Sequence, residues 1–213
     1  MKKIIIIFLL LLGLFTQTAY ASPNELYALK GVYQKLLKTT ETPLFGKLLK
    51  TGQLLCYDPT GNFDSTTGQA LTIPCAGTGQ DGETQAGISF SYIATANGTI
   101  FDAVTGLTWQ KDGTSYGALA DALAACTKNS AQLPGTGWRL PNIRELASLI
   151  DYREGYPSIN SSFSSTADDY YWSSTTYQLA GHDEGQAWIV DFTDGSQIKL
   201  PKSMGNFFRC VRG

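Results

Sequence analysis

The residues of this 213-residue chain that are equipped for chemistry are few, and most lie between residues 151 and 187. His182 is the sole histidine, in Gly181-His182-Asp183-Glu184-Gly185, and no nucleophile at a telling spacing accompanies it, so we assign no catalytic residue. Asp168, Asp169, Asp183 and Glu184 carry the hard oxygens that calcium takes, but without the spacing of a calcium loop. We place a candidate metal pair at Asp168 and Asp169; calcium is the one cofactor these acids would suit, and no motif requires it. No spacing marks the acid and base of a glycoside hydrolase. Aromatics are more suggestive. Tyrosine offers a rigid apolar face with a hydroxyl, which suits adaptable recognition, and the candidate ligand set is Tyr170, Tyr171, Tyr177, His182, Asp183 and Glu184.

Four cysteines, Cys56, Cys75, Cys126 and Cys210, lack the Cys-x-x-Cys spacing of a zinc site. Three pairings are open to them. The favoured one joins Cys56 to Cys75 locally and Cys126 to Cys210, which ties a helix to the final strand. Disulfides need an oxidising compartment, and the N-terminus supplies the means of reaching one. Lys2 and Lys3 precede an uncharged apolar run from Ile4 to Phe15, and Ala19-Tyr20-Ala21 suits a signal peptidase. Residues 1–21 are therefore read as a signal peptide and the chain as exported, to the periplasm or beyond the cell.

Without Lys2 and Lys3 the chain has 14 basic against 18 acidic residues and no dense basic cluster, which argues against nucleic acid as a partner. Residues 22–45 read as an amphipathic helix and linker. Ser22 and Glu25 form a capping box, Pro23 takes the first turn, and Leu29, Val32, Tyr33, Leu36 and Leu37 share a face. Any membrane contact would fall to residues 22–40.

Further on, Ile100 to Ala103 and Leu107 to Lys111 read as paired strands around Val104-Thr105-Gly106. A helix capped by Ser115 buries Leu119, Ala122, Leu123 and Cys126, and a second helix starts at Pro141 with Ile143, Leu146, Ala147 and Ile150 inward. Tyr171 to Thr175 forms a strand. Ala187 to Phe192 and Ser196 to Leu200 form a hairpin closed by Asp194-Gly195, and Asn206 to Arg212 is one last strand. Trp109, Trp138, Trp172 and Trp188 are expected inside, with Arg139, Arg144 and Arg209 as structural pairing partners. The order is that of an α+β fold.

Five blocks now stand out in order: Gly79-Gln80-Asp81-Gly82, Val104 to Lys111 (VTGLTWQK), Gly137 to Leu146 (GWRLPNIREL), Tyr171-Trp172-Ser173-Ser174-Thr175, and Phe208 to Arg212 (FRCVR). Together they resemble the Lcl C-terminal domain family, a bacterial domain of unknown function named after a collagen-like adhesin, over residues 50–213. The resemblance implies a fold similar to C-type lectins and the sulfatase-modifying-factor group, with two helices packed on twisted antiparallel sheets. It also implies a helix-to-last-strand disulfide, in agreement with Cys126–Cys210.

The family's adhesin is associated with sulfated glycans, but its collagen-like region is absent here. None of the calcium-dependent lectin triplets (Glu-Pro-Asn, Gln-Pro-Asp, Trp-Asn-Asp) occurs. The expected function is a non-enzymatic recognition or adhesion domain that binds a glycan or a cell-surface protein through the 151–187 loops. The alternatives are a secreted hydrolase or oxidoreductase of the sulfatase-modifying-factor-like fold, or an envelope assembly subunit.

Overall fold

The computed structural model describes residues 48–95, 97–113, 115–163, 166–178 and 185–213. The chain divides into two units, Met1–Pro43 and Leu44–Gly213, and all described residues belong to the second. The expected signal peptide and amphipathic helix, and the loop residues His182, Asp183 and Glu184, lie outside the described residues.

The second unit opens on a small disulfide-tied lobe. β1 (Cys56–Tyr57) pairs antiparallel with β2 (Thr72–Ile73), and Cys56–Cys75 closes the lobe. Beneath them runs the short helix α1 (Asp81–Thr84), and here the Gly79-Gln80-Asp81-Gly82 block acquires its reasons. The Gln80 side chain behaves as an extra strand residue: its amide oxygen accepts the Tyr57 N–H at 3.0 Å and its amide nitrogen donates to the Tyr57 carbonyl at 2.7 Å. Gly82 lies so close to the Leu55 carbonyl and the Cys56 sulfur that a β-carbon would collide with both.

Two sheets form the body. One has the order β11-β5-β4-β3, from β3 (Tyr92–Ala94), β4 (Thr99–Asp102), β5 (Thr108–Gln110) and β11 (Val211–Arg212), all antiparallel. The other has the order β6-β10-β7-β8-β9, from β6 (Ser115–Gly117), β7 (Tyr170–Thr176), β8 (Gln186–Asp191), β9 (Ser196–Pro201) and β10 (Asn206–Phe208). This second sheet is mixed rather than wholly antiparallel, because β10 runs parallel to β7.

Side-chain alternation along the five-stranded sheet feeds two separate cores. Tyr171, Val190 and Phe192 face one side with Trp109, Leu146, Leu149 and Ile150. Trp172, Ala187, Ile189 and Phe208 face the other with Leu119, Ala122, Trp138 and the Cys126–Cys210 pair. Helix α2 (Leu119–Thr127) packs on the second side and helix α3 (Ile143–Ala147) on the first. Burying each of these large apolar side chains contributes about 1.5–3 kcal/mol.

Four expectations are corrected. Ser115 does not cap α2; it sits in β6 opposite Phe208, and the Asp121 carboxylate accepts the Ala118 N–H at the helix start instead. Helix α3 begins at Ile143, two residues after Pro141, because Asn142 caps it: its side chain accepts the Glu145 N–H at 2.9 Å while Glu145 accepts the Asn142 N–H at 2.8 Å.

The β8–β9 turn is wider than a two-residue Asp-Gly hairpin. The Gly195 N–H donates to the Asp191 carbonyl at 2.8 Å, and Gly195 takes the positive φ of 81° that this loop requires. Finally, residues 206–212 form two strands in two sheets. The chain crosses between them at Arg209 and Cys210, where Cys210 pairs with both the backbone and the side chain of Gln110. Phe208 and Cys210 still share the second core.

Candidate recognition surface

The five-stranded sheet splits the 151–187 segment between its two ends. Residues 152–163 and 166–169 gather at the β8–β9 turn: Ser158 N–H donates to the Phe192 carbonyl, and the Thr193 hydroxyl to the Asp168 carbonyl. Thr176, Tyr177 and Gln186 lie at the opposite end, where the Tyr177 N–H donates to the Gln186 carbonyl. Five residue steps of β8 separate the two ends by about 17 Å. The described residues of the predicted set therefore do not form one surface.

Each falls in a distinct environment. Tyr171 is wholly buried between Phe192 and Phe207, with its hydroxyl donating to the Gly113 carbonyl at 2.6 Å and accepting the Ala167 N–H at 2.8 Å. Burial pushes its phenol pKa up, so it is a neutral core residue and leaves the ligand set. Tyr170 is half-buried against the second core. Asp168 and Asp169 are exposed; Asp169 accepts the adjacent Tyr170 N–H at 2.7 Å. Among the described residues no group of three His, Cys, Asp or Glu side chains could hold a metal ion. All four cysteines are paired, Cys56 with Cys75 and Cys126 with Cys210, and none is free.

Among the described residues of the predicted set, Tyr177 is the one that the fold sets beside a half-buried indole and an exposed cation. It meets Trp188 edge-to-face at 5.7 Å, and the Lys199 ammonium stands 3.7 Å from the centre of its ring. Trp188, expected inside with the other three tryptophans, is half-buried, whereas Trp109, Trp138 and Trp172 are buried. Lys199 was not foreseen. Trp188 pairs with Lys199 across the β8–β9 ladder, but a two-residue Asp194-Gly195 turn would set Pro201 opposite Trp188. The wider turn moves the register by two residues and delivers the lysine.

The Tyr171 to Thr175 block explains how Tyr177 is aimed. Register advances by two between Trp172↔Ile189 and Thr176↔Ala187, so β7 carries a bulge at Ser173-Ser174-Thr175. Each bulged residue has a partner. The Ser173 hydroxyl donates to the Trp188 carbonyl at 2.7 Å, the Ser174 N–H to the Pro141 carbonyl at 2.8 Å, and the Ile143 N–H to the Thr175 hydroxyl at 3.0 Å. The bulge therefore clasps the start of α3 and redirects the end of β7 toward Trp188.

The start of α3 is itself braced. Arg139 makes a two-pronged ion pair with Glu145 at 2.7 and 2.6 Å, and Trp138 donates its ring N–H to the Pro134 carbonyl at 3.2 Å. Arg209, as expected of a structural partner, is fully buried. Its guanidinium donates to the Gln110 and Lys111 carbonyls and the Thr166 hydroxyl and lies 4.7 Å from the Phe163 ring centre; burial draws its pKa down to about 10.

A half-buried indole with an edge-on phenol and an exposed ammonium beside it is suited to non-covalent binding. Ring faces take the apolar faces of sugars or side chains, and the cation takes an acceptor. The chain is thus an α+β domain tied by two disulfides, which fit a non-cytoplasmic protein, and it presents an aromatic–cation face at one sheet end. It belongs to the Lcl C-terminal domain family, whose model matches residues 98–212. Among curated proteins there is no match. No helix among the described residues is long and apolar enough to cross a membrane.

Proposed function

We propose that this protein is an exported, non-enzymatic recognition domain of adhesin type on a C-type-lectin-like scaffold. It binds a glycan or a cell-surface protein through Tyr177, Trp188 and Lys199 together with the adjoining residues 178–185, which include His182, Asp183 and Glu184. The observation that carries this reading is the half-exposed Trp188 with Tyr177 edge-on and Lys199 over the phenol ring. Exposed aromatic side chains of this kind are costly to leave uncovered and are over-represented at binding surfaces. Membership of a family named for an adhesin's domain supports the same reading. No observation favours the hydrolase, oxidoreductase or assembly-subunit alternatives.

The test is to screen the chain from Ser22 onward against arrays of glycans and surface proteins, beside the variants Tyr177→Ala and Trp188→Ala. Tyr116→Ala serves as the control, since Tyr116 is exposed on another edge of the sheet. We expect retained ligands to bind Trp188→Ala at least tenfold more weakly, about 1.4 kcal/mol, with the control unchanged. Equal binding by all variants removes the face as the site.

A further inference from the structure

A second concavity lies away from the Tyr177 face, where the disulfide-tied lobe meets the loop after α3. It has a volume of about 240 Å³, and Lys50, Gln85, Ser89, Phe90 and Arg153 are among its lining residues. Arg153 is fixed in place. Its Nε and one terminal nitrogen donate to the two carboxylate oxygens of Asp151 at 3.0 and 2.6 Å, and the Asp151 side chain has no exposed surface. Asp151 is in turn gripped by Gly52, whose φ of 87° and contact with the carboxylate leave no room for a β-carbon. The remaining terminal nitrogen of Arg153 has no partner among the described residues, and the guanidinium faces the Phe90 ring with 5.9 Å to its centre.

Lys50 is the second cation. Its backbone N–H is committed to the Ile88 carbonyl, but its ammonium makes no ion pair among the described residues. Asp81, at the start of α1, takes the Thr51 hydroxyl. The lining has two cations, Lys50 and Arg153, next to an aromatic wall; Asp151 pairs with Arg153, and the neighbouring Glu154 also acts on it electrostatically. A guanidinium already locked by a buried carboxylate loses little freedom on binding, and its spare N–H groups match a carboxylate.

From this we infer that the cleft binds a small carboxylic acid with a flat apolar body, its carboxylate between Lys50 and Arg153 and its body on Phe90. The volume falls below the roughly 300 Å³ of ordinary small-molecule sites, which limits the body to about one ring. This site is independent of the Tyr177 face and stands or falls without it.

Benzoate is the probe, titrated into the whole mature chain by calorimetry or by ligand-observed NMR. The inference requires saturable binding at millimolar concentration, at least tenfold weaker binding of the neutral isostere benzamide, and weakening as sodium chloride is raised. Lys50→Met, a surface change that leaves Asp151 paired, should lower benzoate affinity at least fivefold and leave benzamide unaffected. Absence of benzoate binding, equal binding of benzamide, or full affinity in Lys50→Met each overturns it.

Discussion

Four aspartates repeat one local device. In Asp58, Asp64, Asp102 and Asp191 a carboxylate oxygen accepts the N–H two residues on, at 2.7 to 2.9 Å, and the backbone carbonyl accepts a glycine N–H three or four residues on. The glycines, Gly61, Gly68, Gly106 and Gly195, all have positive φ. Asp102 is the buried case and also takes the Thr105 hydroxyl at 2.6 Å. Asp102→Ala leaves those donors unpaired in the interior, so denaturant unfolding should show a loss of about 1–3 kcal/mol, with Asp102→Asn losing less.

Two further carboxylates, each paired with an arginine, contribute to acid sensitivity. Burial raises the pKa of Asp151 and of Glu145, but the paired arginines, Arg153 and Arg139, and neighbouring donors outweigh it and hold both below the usual range. A folded pKa below the unfolded one stabilises above the unfolded value and is lost as pH falls through the folded one. The protein should therefore keep this contribution above about pH 4 and lose it progressively below. Urea unfolding from pH 7 to pH 3 checks this: the acid loss should shrink in Glu145→Gln.

At the scale of elements, the sequence blocks prove to be joints. Gly137 to Leu146 braces the start of α3, Tyr171 to Thr175 supplies the bulge that grips it, and Phe208 to Arg212 carries the chain from one sheet to the other. The apolar periodicities were largely legible because burial dictates them: α2 presents Leu119, Ala122 and Cys126 inward, though Leu123, expected with them, is exposed, and the paired strands around Val104-Thr105-Gly106 are in place. Turn geometry was not legible. Asp194-Gly195 is ambiguous between a tight hairpin and the longer Asp191–Gly195 loop, and a two-residue difference in register hid Lys199.

The sheet crossing was hidden for a similar reason, since Arg209 and Cys210 continue an alternating pattern while changing partners. The Cys126–Cys210 bond fastens that crossing to α2 across 84 residues, whereas Cys56–Cys75 closes only 19. In the chain-entropy model the long loop contributes about 4.5 kcal/mol and the short one about 3. Thermal unfolding of the paired Cys→Ala variants should show the larger loss for Cys126 and Cys210, and the loss at Cys56 and Cys75 should be the smaller.

Across the whole molecule, one sheet lies between two cores, and its two ends are left to meet solvent and ligands. The sequence reading took 151–187 as a single surface although it placed a strand at Tyr171 to Thr175, because nothing in the pattern shows that this strand becomes an interior member of the sheet with its flanks at opposite ends. It also counted Trp188 with the buried tryptophans, as Trp188 alternates in phase with Val190 and Phe192; only the full assembly of the sheet exposes it at the end of the row. That exposure yields a direct test. Among four tryptophans Trp188 alone is open to solvent, so tryptophan fluorescence should report the ligand face. Titrating whichever glycan or protein the arrays retain into the chain should give a saturable fluorescence change that disappears in Trp188→Phe. The same saturable change persisting in Trp188→Phe would contradict the account.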